Sequence, residues 1–192
     1  LISPKWGELI DFVCEALGNK NVESVYIRGS IPRGLAQENY SDADFVCLCE
    51  NNLSDEEKLI DIEAKKLFPF VRGIELSVVN KQKLSHIKPN RKRPYLEMLL
   101  KTQGLFLSGI DVCKNIEPFY PDIEVVSHAF NLLKDYDQYF LWKETEPEFD
   151  VETRKWLSRR IVRSGLEITL DRSDQFTRDL YLGYEKFREF YP

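Results

Sequence analysis

Four residues in the first quarter of the chain have the types and spacing of a site for phosphate and a metal ion. Gly29 and Ser30 follow an apolar stretch, and Asp42 and Asp44 open the next one. Because successive side chains of a strand alternate between its faces, we expect Asp42 and Asp44 to share a face, a few ångströms apart. Two carboxylates at that separation repel each other unless a cation lies between them. Mg²⁺ is the expected cation, since it takes a few carboxylate oxygens together with phosphate oxygens.

The Gly29-Ser30 pair suits close contact with a phosphate group. Glycine adopts backbone angles that other residues avoid, and it lets a phosphate approach the main chain. The Ser30 hydroxyl can donate a hydrogen bond to a phosphate oxygen. We also predict a helix that begins near Ile31 to Arg33, whose free N–H groups would attract an anion. The alternative is a plain turn between two strands, followed by an aspartate pair in solvent.

Gly-Ser followed at a short interval by Asp-x-Asp resembles the DNA polymerase β-type nucleotidyltransferase superfamily. Within it, the chain is similar to small bacterial nucleotidyltransferase-domain proteins and to aminoglycoside nucleotidyltransferases. The resemblance implies an α/β (α+β) fold, with a mixed sheet, flanking helices and a C-terminal helical bundle. It also implies an enzyme that uses Mg²⁺ to move an NMP group, expected to be AMP from ATP, to a hydroxyl with release of pyrophosphate. Asp42 and Asp44 would then be catalytic metal ligands, and Gly29 and Ser30 would bind the nucleotide.

Glu75 is the acidic residue of a third predicted strand, Arg72–Val79. It stands between two apolar residues, so its side chain is expected on the opposite face from theirs. With Asp42 and Asp44 it could bind Mg²⁺, or it could accept a proton from the attacking hydroxyl. In the aminoglycoside-modifying relatives a glutamate in such a strand is the base, and the resemblance places that catalytic role on Glu75. The alternative is a half-exposed strand glutamate that faces water.

Three arginines are further candidates for nucleotide binding. Arg33 stands beside the Gly29-Ser30 turn, where it could contact the leaving pyrophosphate. Arg159 and Arg163 are four residues apart on a predicted helix and share a face. A guanidinium fork suits phosphate oxygens. For each arginine the alternative is a solvated side chain paired with a nearby carboxylate.

The chain is expected to form two domains: a catalytic domain over 1–93 and a helical domain over 94–192. In the first, a helix with apolar residues from Trp6 to Leu17 precedes strands and helices in the order β-α-β-α-β, which predicts a mixed sheet. Ser54 and Glu57 have the spacing of a capping box at the start of a helix.

The second region is predicted to be mostly helical. A helix over Tyr95–Gln103 ends at Gly104, and a short apolar strand follows. Further helices are predicted over Val125–Lys143, Val151–Asp171 and Thr177–Tyr191. The basic, proline-containing stretch from Lys81 to Pro94 is expected to connect the two regions.

Composition limits the possible classes of protein. The chain has 192 residues and a net charge of −5, which argues against nucleic acid as a partner. No apolar run is long enough for a membrane span, and no signal segment is expected. The four cysteines lack zinc spacing and are expected to be small buried residues in a reducing compartment, hence a cytoplasmic protein. His86 and His128 each stand alone and do not form a metal-ligand set.

The second substrate is expected to be a small polyhydroxylated molecule, because the resemblance includes antibiotic-modifying enzymes. A net negative charge suits a cationic acceptor. One stretch combines carboxylates with aromatic rings that could hold a cation. Its members are Asp135, Tyr136, Asp137, Tyr139, Trp142, Glu144 and Glu146. An ordinary solvated helix face is the alternative.

Three other functions are compatible with the motif. An enzyme that adenylylates a partner protein, as toxin–antitoxin nucleotidyltransferases do, is disfavoured by the long helical half. A non-catalytic nucleotide-binding protein is disfavoured by the three carboxylates. A template-independent RNA nucleotidyltransferase is disfavoured by the acidic charge and the short chain.

Overall fold

The computed structural model describes most of the chain outside its middle. The described residues are 2–18, 20–50, 53–80, 95–116, 134, 136–138, 141, 151–173 and 175–192. His86, His128, the predicted connection 81–94 and most of the acidic-aromatic stretch lie outside them. The described residues of the predicted helix Val125–Lys143, at 134, 136–138 and 141, are helical.

The chain divides into two compact units. The first comprises Leu1–Arg91 and Leu96–Glu117, and the second comprises Lys92–Tyr95 and Pro118–Pro192. The first unit contains α1 (Pro4–Gly18), β1 (Val22–Arg28), β2 (Ala43–Cys49), α2 (Ser54–Leu67), β3 (Ile74–Asn80), α3 (Tyr95–Gln103), β4 (Leu105–Gly109) and a 3₁₀ helix (Val112–Asn115). The second unit contains α4 (Val151–Glu167) and α5 (Leu180–Phe190).

The four strands form one mixed sheet in the order β3-β2-β1-β4. β1 is antiparallel to both β2 and β4, whereas β2 and β3 are parallel. The predicted mixed sheet with flanking helices is therefore confirmed. Because β4 pairs with β1, the segment Leu96–Glu117 groups with the sheet, whereas the predicted domain boundary at 93/94 separates the two strands. The division into domains 1–93 and 94–192 stays a prediction.

The sheet carries apolar side chains on both faces. One face packs on α1 and α2, with Phe45 and Ile27 fully buried against Leu9. The opposite face carries Tyr26 and Val46, which pack with Leu100 and Cys113. Each large apolar side chain buried in this way contributes roughly 1.5–3 kcal/mol. The sheet is thus held from both sides, and the ends of its strands provide a firm base for polar side chains.

The apolar periodicity of α1 is confirmed, since Trp6, Leu9, Ile10, Val13 and Leu17 are all buried. The cysteines carry free thiols, of which Cys47, Cys49 and Cys113 are buried as expected. Burial raises the pKa of the Cys47 thiol to about 12, so this group is neutral and behaves as a small apolar side chain.

The predicted capping box at the start of α2 is wrong. The N-cap residue is Leu53, with no side-chain capping bond, and Ser54 is already helical. Glu57 instead accepts a hydrogen bond from Leu76 N–H at 3.1 Å, and Asp61, one turn later, accepts one from Ile74 N–H at 2.8 Å. These N–H groups lie on the edge of β3 that faces away from β2, where no strand among the described residues pairs with them. The Glu57 carboxylate therefore binds the edge of β3 instead of capping α2.

In the second unit, α4 and α5 pack together, and Gly165 of α4 lies against the Phe187 ring. Both helices are shorter than predicted: α4 ends at Glu167, and α5 begins at Leu180. Asp179 caps α5 by accepting a hydrogen bond from Leu182 N–H at 3.0 Å, which fixes its first residue. Within the described ranges, no helix is both long and apolar enough to cross a membrane.

Candidate active site

Three charged side chains form a row across three neighbouring strands at one end of the sheet. Asp44 of β2 is the register partner of Arg28 on antiparallel β1 and of Glu75 on parallel β3. Directly opposed residues share a face and lie about 5 Å apart. An Arg28 guanidinium nitrogen is 3.8 Å from Asp44 Oδ1 and 3.5 Å from Glu75 Oε1. The structure thus brings together two of the predicted carboxylates, and Arg28, which is not among the predicted site residues, lies between them.

Asp42, the remaining predicted carboxylate, precedes β2. It forms an ion pair with Arg72, which precedes β3. The backbone supports this pair, since Arg72 N–H donates to Ser41 O at 3.1 Å and Ala43 N–H donates to Gly73 O at 2.9 Å. Asp42 also lies near enough to Asp44 for its charge to act on that carboxyl. The three predicted carboxylates therefore lie at the same end of the sheet, and each contacts an arginine.

Gly29 joins β1 to the turn that faces these carboxylates. Its φ is +86°, a conformation that side chains with a Cβ rarely adopt. A Cβ built at position 29 would overlap Asp44 Oδ2. Glycine is therefore required twice, by the backbone angle and by the close approach of the Asp44 carboxylate.

The helix predicted to begin near Ile31 to Arg33 is absent: residues 29–34 form a turn. Gly34 N–H donates to Ile31 O at 3.0 Å and Leu35 N–H donates to Ser30 O at 2.9 Å, after which the chain continues as a loop. Pro32 limits the backbone here, and the buried Ile31 side chain anchors the turn to the core. In this part of the chain, the amides of Ser30, Ile31 and Arg33 make no internal hydrogen bond. A phosphate could accept from these N–H groups without a helix.

Arg33 is exposed and donates from Nε to Gly29 O at 3.1 Å. Its side chain therefore folds back onto the turn that carries Ser30, which is half-buried. The guanidinium stays next to the turn and to its available amides. Contact of Arg33 with a leaving group stays a prediction.

The pKa of Asp44 is raised from its ordinary value of 3.8 to about 7. Burial is the main cause, because it penalises the charged form. The charges of Asp42 and Glu75 and a hydrogen bond with Glu75 raise the pKa further, and the Arg28 charge partly offsets them. A carboxyl in this state is stabilised in its charged form by any added positive charge.

The carboxylates fit a divalent cation by their chemistry. Hard oxygen donors are supplied by Asp42, Asp44 and Glu75. The negative charges of Asp42 and Glu75 repel that of Asp44, and a bound cation would offset this repulsion. Among the described residues, however, no group of three or more His, Cys, Asp or Glu side chains already has the arrangement of an ion site. Arg28 and Arg72 contact the carboxylates instead. Metal binding by these residues stays a prediction.

The other two predicted nucleotide ligands, Arg159 and Arg163, belong to α4 in the second unit. Arg159 is exposed and Arg163 is half-buried. Arg159 lines an open pocket of about 350 Å³ within that unit. The pocket is lined by Val151, Arg154, Lys155, Ser158, Arg159, Val162 and Leu180. Its basic side chains suit an anion, and a role in nucleotide binding stays a prediction for both arginines.

Arg28 and Arg72 contact the predicted carboxylates but are not among the site residues predicted from the sequence. Arg28 directly precedes Gly29, and an antiparallel pairing of β1 with β2 in this register would have placed it opposite Asp44. Arg72 is the first residue of the predicted Glu75 strand, and a parallel pairing of that strand with β2 would have placed its start next to Asp42. Both arginines stand at strand ends in the sequence, but only the register of the sheet shows that they lie beside the carboxylates.

A search of curated protein sequences gives no significant match. Among solved structures, the chain is similar to spectinomycin adenyltransferase AAD(9) from Enterococcus faecialis, solved with ATP and spectinomycin. The identity is 15%, the TM-score is 0.55, and the match covers 96% of this chain and 89% of that one. At this identity the likeness shows the fold. A toxin-antitoxin structure with AMP-PNP matches at 16% identity over 71% of this chain and 98% of that one, with a TM-score of 0.38, which is too weak to support an argument.

The part of the chain that carries the row of charged residues matches a known protein family. Residues 7–99 match the family model of the nucleotidyltransferase domain. This range includes the Gly29-Ser30 turn, both aspartates and Glu75. Residues 7–99 therefore form a nucleotidyltransferase domain, and the protein is an enzyme of the nucleotidyltransferase class.

Proposed function

We propose that the protein transfers AMP from ATP, with Mg²⁺, to a hydroxyl group of a small-molecule acceptor and releases pyrophosphate. The observation that supports this most is the row of Asp44 and Glu75 on paired strands, next to a turn with available N–H groups. Nucleotidyl transfer needs carboxylates and phosphate-binding donors in one place, because positioning and charge neutralisation supply most of its catalysis.

Each of the predicted site residues has a defined task in this proposal. Asp42 and Asp44 would hold Mg²⁺, which would neutralise charge on the triphosphate. The turn amides and the Ser30 hydroxyl donate to phosphate oxygens, and Arg33 is placed to contact pyrophosphate. We also propose Arg159 and Arg163 as nucleotide-binding residues.

Glu75 is proposed as the general base. It is more than half exposed, with 56% of its side-chain surface accessible, so an acceptor can approach it. Its carboxylate takes the proton of the acceptor hydroxyl as that oxygen bonds to the α-phosphorus. The bond from the α-phosphorus to the bridging oxygen breaks, and pyrophosphate leaves with the bonding electrons.

The acceptor is proposed from the similar fold and from the charge of the chain. The similar fold of a spectinomycin adenyltransferase, solved with ATP and spectinomycin, favours ATP as donor and an aminoglycoside-like hydroxyl compound as acceptor. The net charge of −5 suits a cationic compound of this kind. The free thiols suit a reducing compartment, and we place the protein in the cytoplasm.

The test is a mass-spectrometric screen for nucleotidyl adducts. The protein is incubated with Mg²⁺, each of the four ribonucleoside triphosphates, and either pooled aminoglycosides and polyols or a protein lysate. We expect an adenylyl adduct on a small molecule from wild-type protein and none from Asp42→Asn/Asp44→Asn. Exposed Glu63→Gln on α2 serves as the matched control and should behave as wild type. Adducts on proteins alone would favour the protein-modifying alternative, and no adduct in any pool would contradict the proposal.

A further inference from the structure

Arg28 is the residue of the row that the proposed mechanism does not use. Its guanidinium lies between two carboxylates, 3.8 Å from Asp44 and 3.5 Å from Glu75. The side chain is 22% exposed, so it is largely enclosed by the strands around it. An arginine in this position neutralises the carboxylates that the proposal assigns to the metal ion and to proton transfer.

We propose that Arg28 is a positioning residue that takes the place of the metal ion in the metal-free enzyme. It holds the Asp44 and Glu75 side chains on one face, and it gives up its contact with Asp44 when a divalent cation binds. This inference rests on the proposed function, because it takes Asp44 as a metal ligand.

The geometry of the contacts supports exchange rather than a permanent ion pair. Both nitrogen–oxygen distances are longer than those of a charge-assisted hydrogen bond, which are roughly 2.7–2.9 Å. Arg28 is therefore attracted to both carboxylates without being locked to either. Glu75 is exposed enough to follow either the guanidinium or another partner.

The charge balance of the site points in the same direction. Arg28 and Arg72 face Asp42, Asp44 and Glu75, which leaves one negative charge in excess. A divalent cation added to this set would reverse the sign of the site unless an arginine withdrew or phosphates arrived with it. Arg72 contacts Asp42, and the Arg28 guanidinium lies within 4 Å of both Asp44 and Glu75. Arg28 is thus the group whose removal frees the most oxygen ligands.

The experiment measures Mn²⁺ binding by calorimetry without nucleotide at pH 8.5, for wild type, Arg28→Gln, Arg28→Lys and Arg188→Gln. We expect Arg28→Gln to bind Mn²⁺ at least about tenfold more tightly than wild type, because a competing positive charge has gone. Arg28→Lys keeps the charge and should stay close to wild type. Arg188→Gln removes the same charge from an exposed side chain that pairs with Glu185 and should change affinity by less than about twofold.

Metal-free stability provides a second readout that needs no activity. Loss of Arg28 leaves Asp44 and Glu75 uncompensated, so Arg28→Gln should melt below wild type without metal and gain more from saturating Mg²⁺. If Arg28→Gln does not fold, the Arg28 Nε–H resonance of wild type, assigned with Arg28→Lys, should move on addition of Mg²⁺. Unchanged or weaker Mn²⁺ binding by Arg28→Gln, or an unmoved resonance, overturns the inference alone. A wild type that transfers AMP but binds no Mn²⁺ also overturns it, whereas a wild type that transfers nothing overturns the proposed function.

Discussion

Asp44 and Glu75 are register partners on the parallel strands β2 and β3, although 30 residues of chain separate them. The Asp44 carboxyl is half-buried and has a raised pKa, whereas the Glu75 carboxyl is exposed. Two carboxylates in unlike environments are suited to different tasks, one to hold charge and one to exchange a proton with a substrate.

Replacement of Asp44 by Asn should abolish transfer without loss of the fold. Asn keeps the shape of the protonated acid but cannot compensate a cation, so we expect transfer to fall by at least about 10²-fold. The metal-free melting temperature at pH 8 should stay level or rise, because a charge with an unfavourable environment has been removed. Adduct assays and melting curves test both parts, and transfer at the wild-type rate would contradict the metal role of Asp44.

Glu75→Gln should separate chemistry from binding. The amide keeps the size of the side chain and loses its basicity, so we expect transfer to fall by roughly 10²- to 10⁴-fold. Nucleotide and Mn²⁺ affinity should change only by a small factor, as calorimetry can show. Loss of metal binding would instead make Glu75 a ligand, and an unchanged rate would make it a solvent-facing glutamate.

Metal affinity should depend on pH through Asp44. Its pKa is raised to about 7, so protons compete with the cation below that pH. We expect Mg²⁺ affinity to rise about tenfold per pH unit from pH 5 to 6.5 and to level off above pH 8. The same shift means that this group lowers the metal-free stability as pH rises from 3.8 to about 7, since the folded form binds the proton more tightly than the unfolded chain. Asp44→Asn should remove both trends.

Gly29→Ala should disturb the turn and the carboxylate together. The new Cβ would occupy a backbone conformation with φ of +86° and overlap Asp44 Oδ2. We expect a loss of about 1–3 kcal/mol in the free energy of unfolding and weaker nucleotide binding. Gly7→Ala is the control, because a Cβ there meets nothing within 4 Å and alanine favours the helix. Equal stability of the two variants would show that Gly29 is not required by its backbone.

Asp61→Asn should weaken the anchoring of β3 to α2. Burial raises the pKa of Asp61, but hydrogen bonds from Lys65 and Ile74 N–H and the Lys65 charge outweigh it, so the pKa is lowered overall. This carboxylate therefore stabilises the fold above the ordinary value of 3.8, and the contribution is lost as the pH falls through its lowered pKa. We expect a loss of about 1–2 kcal/mol on substitution, measured by denaturant unfolding at pH 7. The exposed Glu63→Gln should change stability by less than about 0.5 kcal/mol.

Local patterns were enough to predict the elements that carry the carboxylates. The apolar run that follows Asp44 in β2 and the apolar periodicity of α1 are properties of neighbouring residues, so the sequence displays them directly. Arg28 escaped notice because its importance depends on the pairing of β1 with β2, which is a long-range property. The prediction of a helix after Ser30 was wrong for a local reason. Pro32 limits the backbone, and the hydrogen-bonded turn closes at Gly34 and Leu35 before a helix can form.

Glu57 and Asp61 have a consequence beyond the stability of one strand. A free sheet edge is a template on which strands from other molecules can pair. Here two carboxylates from α2 occupy the outward N–H groups of Leu76 and Ile74, and they add negative charge along that edge. An incoming strand would have to displace both before it could pair. The helix that covers the core thus also makes the sheet resistant to growth from one copy of the protein to the next.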